Sequence, residues 1–347
     1  MYMEIPPPRP FPLMRKLTNI FFVFLFLGLI SCRDKNEMAA STDPVDNIEA
    51  LWQIIDTRYC YVEEKGCDWN AIHDEYVEKA SQIEAGHDLE LFDLCAAMLD
   101  SLHDGHVNLY SGFDRSYCSD WYDTYPANFN SSLQRMYLKN SRIAGGIEYC
   151  AVDNDSIGYM YYSSFNNSFS ESSLGWIFSI LQPCKGLIID VRNNGGGDLS
   201  YAYLLAAPFF REDQTIGYWQ HKTGPGHHDF SDMQPLTEEA SLTKLKWDKP
   251  VVVLCNRRTY SAANMFVNIM RYAPNATLIG GRSGGGGGMP MSYDLPIGWM
   301  VRFSSVRMYD RDKKDIENGI VPDVEVTQTS TDQDDLIEAA IALINTK

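Results

Sequence analysis

Apolar residues recur at helical spacing in three short stretches near the N-terminal end of the folded chain. The stretches are 45–58, 68–79 and 88–102, and each of the last two begins with an aspartate that we predict to be the N-cap. An apolar residue at every third or fourth position is typical of a helix with one buried face. The pattern therefore predicts a small helical subdomain over residues 45–104.

Beyond Ile157, short apolar runs alternate with segments of helical spacing. The runs IGYMYYSSF, GLIIDV and VVVL predict three strands, the last of them buried on both faces. This alternation is typical of a mixed α/β domain. Helices are predicted over 170–181, from Gly197 to Ala207, after Ser261 and over 332–344, and further strands near 147, 277–280, 291–295 and 299–304.

Ser261 follows the apolar run 251–254 and a polar turn, and it lies at the start of a predicted helix. The first turn of a helix has unpaired backbone N–H groups and a partial positive charge, and both stabilise an oxyanion that forms beside a serine. The position is therefore suited to a nucleophile. On this segment alone, a serine that only caps the helix is the more common case.

Two glycine-rich segments flank this region. Gly195 to Gly197 form a loop between a predicted strand and a helix, where backbone N–H groups can approach a ligand closely. The loop matches neither the GxGxxG nor the GxxxxGK[ST] pattern, so a nucleotide site is not favoured, and a tight turn is the alternative. The run RSGGGGG at 282–288 predicts a mobile loop.

His106 lies at a corner between a helix that Gly105 ends and a strand in which Val107 and Leu109 alternate with polar residues. An isolated histidine at such a corner is commonly a surface or capping residue unless another group pairs with it. His227 and His228, in the Gly/Pro/His loop 224–232, are adjacent and tend to face apart, which argues against a metal site there.

Composition and charge restrict the partners of the protein. The chain has 347 residues, of which 45% are hydrophobic and 12% aromatic, as in a folded protein. Its formal net charge of -17 argues against nucleic acid and anionic membrane surfaces as partners. Composition does not indicate an oligomeric state.

The N-terminus predicts export. Met14-Arg15-Lys16 and the apolar run 20–30 form the charged and apolar regions of a signal peptide, predicted over 1–31, with Met14 as a possible true start. The run ends in LISC, which resembles a bacterial lipobox and predicts lipidation of Cys32. Residues 32–44 would then be a tether, and the protein a lipoprotein anchored to the membrane of a bacterial cell envelope, on its periplasmic or surface face.

Seven further cysteines follow Cys32. Because an exported protein can form disulfides, and because Cys60 and Cys67 flank the short segment YVEEKG, we predict a disulfide between them. The sequence has no CxxC pair and no cluster of Cys and His at zinc-ligand spacing, so neither a metal nor a cofactor is expected.

Four short segments occur in an order that is specific in combination. They are DGH at 104–106, DVRNNGGG at 190–197, TYSAANMF at 259–266 and ENGIVPD at 317–323. Together they resemble the tail-specific, or C-terminal processing, serine peptidases and the core of tricorn protease. The resemblance implies a ClpP/crotonase-like spiral β-β-α core, here over 105–347, with the N-terminal helical subdomain before it.

The resemblance also implies roles for individual residues. Ser261 corresponds to the nucleophile, His106 to its base and Glu317 to a residue that helps to hold the imidazole. The oxyanion would be bound by the backbone N–H groups of Ala262 and of Gly195 or Gly196. The implied activity is that of a serine-type endopeptidase, and the partner it implies is a peptide or an unfolded protein.

The sequence departs from the family pattern at three points. The lysine base of the processing branch would fall on Gly286, and no lysine lies between Ser261 and Lys313, so the tricorn-type histidine base is favoured. The serine that precedes this histidine in tricorn is Gly105 here. About 50 residues separate His106 from Ile157, too few for the PDZ domain common in the family. Two alternatives remain, an inactive peptide-binding lipoprotein on the same fold and a hydrolase of non-peptide acyl bonds.

Overall fold

The computed structural model describes residues 39–240 and 245–347. The predicted signal peptide at 1–31 and the lipidation site at Cys32 lie outside these residues. Within them, no helix has the length and apolar character needed to cross a membrane.

Strands and helices alternate along most of the described chain. The strands are β1 (Asn108–Tyr110), β2 (Arg142–Ala144), β3 (Ile147–Val152), β4 (Ile157–Tyr161), β5 (Gly186–Asp190), β6 (Gln214–His221), β7 (Gln234–Glu238), β8 (Val251–Cys255), β9 (Ala276–Gly280), β10 (Met289–Asp294), β11 (Met300–Tyr309) and β12 (Val324–Glu325). The helices are α1 (Pro44–Arg58), α2 (Trp69–Ala80), α3 (Asp88–Asp100), α4 (Asp120–Asp123), α5 (Ser131–Tyr137), α6 (Glu171–Leu181), α7 (Leu199–Ala206), α8 (Ala262–Met270) and α9 (Asp335–Thr346).

Seven strands form one sheet in the order β12-β9-β8-β5-β4-β3-β2. Strands β12, β9, β8, β5 and β4 are parallel, whereas β3 and β2 extend the sheet by antiparallel pairing. Strands β5 and β8 are buried along their whole length, as expected where helices cover both faces of a parallel sheet. Helices α6, α7 and α8 pack on one face, and α9 packs on the other.

The pairing of β5 with β8 determines where the candidate residues lie. Because the two strands are parallel neighbours, their carboxyl ends meet at the same edge of the sheet. The loop containing Gly195 follows β5, and Ser261 follows β8. The two segments singled out in the sequence are therefore brought together by this strand pairing.

A second sheet contains β1, β11, β6 and β7 in that order, with β10 also paired to β11. Helices α1 to α3 pack against it and share one apolar cluster with Val301 and Phe303 of β11. Since side chains alternate along a strand, Arg302 and Ser304 of β11 point to the opposite face. That face is directed towards His106, which precedes β1.

The predicted N-terminal helices are confirmed with one correction. The side chain of Asp68 accepts a hydrogen bond from the Ala71 N–H at 3.0 Å and is the N-cap of α2. Asp88 is not the N-cap of α3, because it already lies in the first turn and His87 precedes it as N-cap. A carboxylate in the first turn still stabilises the helix through the helix dipole.

Strands β6 and β7 were not predicted from the sequence. Most of their residues are only half buried or exposed, and the apolar alternation of a half-buried strand is missing. The predicted Gly/Pro/His loop at 224–232 lies between them.

The disulfide predicted between Cys60 and Cys67 is absent, because both thiols are free in the structure. Cys60 is buried in the cluster formed with α1 to α3, whereas Cys67 is partly exposed. The intervening segment is closed by backbone hydrogen bonds, including one from the Lys65 N–H to the Tyr61 carbonyl at 3.1 Å. The turn is therefore held without a covalent link.

Candidate active site

Ser261 has an unusual backbone conformation at the junction of β8 and α8. Its φ is 57° and its ψ is -122°, and although it occupies the N-cap position, its side chain makes no capping hydrogen bond. Instead, Oγ lies 3.0 Å from Nε2 of His106. Strained backbone of this kind is concentrated at functional sites, where it directs a side chain outward. The reading of Ser261 as a simple helix cap does not fit this geometry.

Backbone contacts on both sides fix the serine. The Ser261 N–H donates to the carbonyl of Gly285 at 2.8 Å, and the Tyr260 N–H donates to the carbonyl of Asn194 at 3.0 Å. The Ala262 N–H, at the first position of α8, has no acceptor among the described residues. Helix starts leave such donors free, and this one is adjacent to the serine hydroxyl.

The loop after β5 is held by its own asparagine. The Asn194 side chain donates to the carbonyl of Tyr162 at 2.7 Å and accepts from the Gly196 N–H at 3.0 Å. Gly196 has a φ of 95°, and a Cβ there would approach the Ser261 Cβ to 2.8 Å. Glycine is therefore required at this close approach. The Gly195 N–H, unlike that of Gly196, has no acceptor in the described part of the chain.

A buried ion pair supports the same loop from within the core. Both ends of the Arg192 guanidinium are neutralised, by Asp190 at 2.6 Å and by Asp334 at 2.9 Å. All three side chains are fully buried. A paired and hydrogen-bonded charge can be accommodated in a core, and here it fixes the start of the glycine loop.

His106 is buried, and both of its ring nitrogens have partners. Nε2 faces Ser261, and Nδ1 lies 3.3 Å from Oγ of Ser304 on β11. Burial, together with the smaller effects of the charges of Arg302 and Lys65, lowers the pKa of His106 to about 4, although Asp104 opposes this shift. The imidazole is therefore neutral at neutral pH and able to accept a proton from the serine.

Asp104 holds the backbone of the histidine and not its ring. Its Oδ1 accepts the His106 N–H at 2.8 Å and the Tyr260 hydroxyl at 3.2 Å. Its Oδ2 accepts the Tyr59 hydroxyl at 2.6 Å. Burial raises the pKa of this carboxyl, but Lys65, His106 and these hydrogen bonds together bring it below its usual value.

Glu317, which the resemblance implies helps to hold the imidazole, lies close to the site but has partners other than the ring of His106. Among the described residues, its carboxylate accepts from the Lys65 ammonium at 3.1 Å and from the Gly287 N–H at 2.9 Å. Burial and the neighbouring Asp104 raise its pKa to about 8, although Lys65 opposes that rise. Its link to His106 therefore passes through other residues, and Ser304 occupies the position at the ring.

Two family models match the chain. The model for peptidase family S41 matches residues 156–326, and that for the tricorn protease C1 domain matches residues 45–100. A crystal structure of a candidate peptidase from Parabacteroides merdae is 43% identical, has a TM-score of 0.82, and is covered over 97% of its length by 88% of this chain. The chain belongs to peptidase family S41.

Curated relatives match over a shorter range. The carboxyl-terminal-processing protease of Synechocystis sp. is 28% identical over 199 residues, which are 57% of this chain and 44% of the relative. The carboxy-terminal processing protease CtpA of Bacillus subtilis is 25% identical over 189 residues, which are 54% of this chain and 38% of the relative. This S41 chain thus spans less than half the length of these curated relatives.

The lysine base of the processing branch has no counterpart at the expected position of this S41 chain. Gly286 occupies it with a φ of 68°, and a Cβ there would meet the Tyr260 ring at 2.4 Å. The segment around Gly286 is closed by contacts to Glu317 and Ser261. There is no room here for a lysine side chain directed at the serine.

Four polar residues of the site were not singled out from the sequence: Tyr59, Lys65, Tyr260 and Ser304. Tyr260 was visible beside Ser261, but the other three lie in segments without a recognisable motif. Only the tertiary fold brings them to His106 and Glu317.

One group of side chains outside the site could offer metal ligands. His103, Cys118 and Asp120 place one ligand atom each within 4.8 Å of one another. His103 and Asp120 are exposed and hydrogen-bond to each other at 2.9 Å, so they are satisfied without an ion. Nothing in their arrangement connects them with the chemistry of Ser261.

Proposed function

We propose that this S41 protein is a serine-type endopeptidase that uses Ser261 as nucleophile and His106 as general base. The observation that carries the proposal is the 3.0 Å separation between Oγ of Ser261 and the neutral Nε2 of His106. As Oγ attacks the peptide carbonyl carbon, Nε2 takes the hydroxyl proton and then gives it to the departing amine. Water then attacks the carbonyl carbon of the resulting ester, and Nε2 takes its proton and returns it to Oγ of Ser261 as the ester bond breaks.

The oxyanion of the tetrahedral intermediate would be bound by the backbone N–H groups of Ala262 and Gly195. Both donors lack an acceptor in the described residues, whereas the Gly196 N–H is already bonded to Asn194. Donors that are fixed before the reaction stabilise the developing charge without reorganisation. This argument favours Gly195 over Gly196 as the second donor.

The substrate class follows from the relatives and from the predicted export. Relatives from Synechocystis sp. and Bacillus subtilis are named as carboxyl-terminal-processing proteases. We assign peptides or unfolded segments of exported proteins as substrates, cleaved within the chain. Mass spectrometry of the products of unstructured polypeptides tests this. Fragments cut at internal bonds support it, and release of single terminal residues alone would contradict it.

An activity-based fluorophosphonate probe tests the proposed chemistry without knowledge of the substrate. An activated serine is labelled covalently, so the wild-type protein should be labelled at Ser261, and Ser261→Ala should not be labelled. Ser172→Ala, on the exposed start of α6, is the matched control and should label like wild type. A folded wild type that neither labels nor cleaves peptides would instead favour the inactive peptide-binding alternative.

We further propose that the mature protein is a lipoprotein that begins at Cys32. The basis is the sequence LISC after the apolar run 20–30. In detergent phase partitioning of cells that express the full chain, wild type should enter the detergent phase and Cys32→Ala the aqueous phase. Equal partitioning of the two proteins would contradict lipid attachment at this residue.

A further inference from the structure

Lys65 lies in the segment between α1 and α2, and its ammonium lies between two carboxylates of the active site. Nζ is 3.1 Å from Oε1 of Glu317 and 3.6 Å from Oδ2 of Asp104, and the side chain is only 14% exposed. We propose that Lys65 is a positioning residue that holds these two carboxylates together and thereby places His106 and the segment at Gly287. The proposal rests on the peptidase function proposed above.

Each carboxylate holds a different part of the site by its remaining oxygen. Asp104 accepts the His106 backbone N–H through Oδ1, and Glu317 accepts the Gly287 N–H through Oε2. Gly287 is two residues from Gly285, whose carbonyl accepts the Ser261 N–H. One ammonium thus connects the segment that carries the base with the segment that lies against the nucleophile.

Electrostatics explains why a cation is needed at this point. Two carboxylates buried side by side repel each other, and an ammonium between them offsets that repulsion and part of the cost of burial. Lys65 lowers the pKa of Asp104, whereas burial and Asp104 raise that of Glu317 to about 8. Removal of Lys65 would therefore take away the cation that both carboxyl groups contact and favour the protonated form of Glu317 further.

An ion pair that stabilised the fold without acting on the imidazole would leave the pKa of His106 unchanged. The charged and titratable groups that act on the imidazole are Asp104 on its own segment, Tyr260 with its ring centroid at 4.8 Å, Arg302 on β11 and Lys65. Lys65 and Arg302 disfavour the protonated imidazole, and Asp104 favours it. Loss of Lys65 alone should thus make His106 easier to protonate.

The experiment compares Lys65→Met, which removes the charge, with Lys65→Arg, which retains it. Lys79→Met is the matched control, because Lys79 lies on α2 in an exposed ion pair with Glu75. The pKa of His106 is followed by NMR of the protein labelled with ¹⁵N-histidine, with His106→Ala used for assignment. The rate of fluorophosphonate labelling is measured on the same proteins across pH.

The expected results separate positioning from simple stabilisation. In Lys65→Met the pKa of His106 should rise by about one unit, and labelling at neutral pH should slow by about tenfold or more. Lys65→Arg should retain most of both properties, and Lys79→Met should match wild type. If Lys65→Met keeps the wild-type pKa of His106 and the wild-type labelling rate, the proposal is wrong.

A double variant covers the case in which Lys65→Met does not fold. Lys65→Met/Glu317→Gln removes one charge of each sign and leaves Asp104 without a like-charged neighbour, so we expect it to fold with a raised His106 pKa. An unshifted pKa in this folded variant would overturn the proposal. The NMR measurement does not require activity. A folded wild type that fails to label would therefore refute the peptidase function, and the pKa of His106 in the variants would still decide the positioning role of Lys65.

Discussion

Ser261 and its expected oxyanion donors come from two strand–loop–helix junctions, whereas the imidazole of His106 is held by residues from separate parts of the chain. The first region is local, because β5 and β8 are neighbours and each is followed directly by its functional loop. The second joins the segment after α1, the corner before β1, strand β11 and the turn at Glu317. The contacts of a local region follow from one continuous stretch of sequence, whereas those of an assembled region depend on segments that are far apart in the chain.

The difference also appears in the forces that maintain each region. Backbone hydrogen bonds and glycine contacts fix the nucleophile, as in the bond from the Ser261 N–H to Gly285. Side-chain hydrogen bonds and buried charges fix the base, through Asp104, Lys65 and Glu317. Buried charges respond strongly to the loss of a partner. We call the region that holds His106 the base side and the region around Ser261 the nucleophile side. We therefore expect substitutions on the base side to change the pH dependence of the labelling rate, and those on the nucleophile side to change only the rate itself.

The largest expected effect comes from removal of the base. His106→Ala should lower the labelling rate by about 10²- to 10⁴-fold, because the serine hydroxyl then lacks a proton acceptor. The double variant Ser261→Ala/His106→Ala should cleave peptides no more slowly than Ser261→Ala alone, since residues that act as one unit are not additive. Further loss in the double variant would show that the two regions act independently.

The structure places Ser261 and the glycine loop where the sequence predicted them. Ser261, Ala262 and the glycine loop follow buried strands, which are recognisable as short apolar runs bounded by turn residues. The base side was predicted only in part. His106 and Glu317 were found through their motifs, but Glu317 binds Lys65 and Gly287, and Ser304 takes its place at the ring. Which side chains meet depends on the packing of β11 against α1 to α3, and no local pattern records that packing.

The pH profile should reveal the burial of the base. An exposed histidine would lose its proton near pH 6.5, and a carboxylate beside it would raise that value. Burial instead lowers the pKa of His106 to about 4. The labelling rate should therefore stay level as the pH falls through 6.5 and decline only as it approaches that lower pKa. A limb at or above pH 6.5 would contradict a buried, neutral imidazole.

The same pKa shift gives a prediction for stability, with a definite sign. Between the unfolded pKa near 6.5 and the folded pKa of about 4, the unfolded chain binds the extra proton. The free energy of unfolding should thus decrease as the pH falls through this window. In His106→Gln, the free energy of unfolding should depend less on pH in this window than it does in wild type. An equal slope in both proteins would assign the acid sensitivity to other groups.

Ser304→Ala tests the partner of the ring. It removes the hydroxyl 3.3 Å from Nδ1 and leaves the imidazole without the group that orients its second nitrogen. We expect labelling to slow by about tenfold, less than in His106→Ala, because the proton acceptor remains. Ser305→Ala is the neighbouring control, since Ser305 points to the other face of β11. Equal labelling rates for Ser304→Ala and wild type would show that Ser304 does not orient the imidazole.

The smallest effect is expected at Gly105, the position at which the sequence resemblance places the serine of tricorn. A Cβ on Gly105 would lie 2.4 Å from Nε1 of Trp121, whose ring stacks on Tyr260 with centroids 4.1 Å apart. Gly105→Ser should therefore displace Trp121 and not complete the base side, which lowers the free energy of unfolding by about 1–3 kcal/mol. Gly112→Ser, where a Cβ meets nothing within 4 Å, is the matched control. If Gly105→Ser raises the labelling rate without loss of stability, the serine can be accommodated and the base side of this protein is incomplete as it stands.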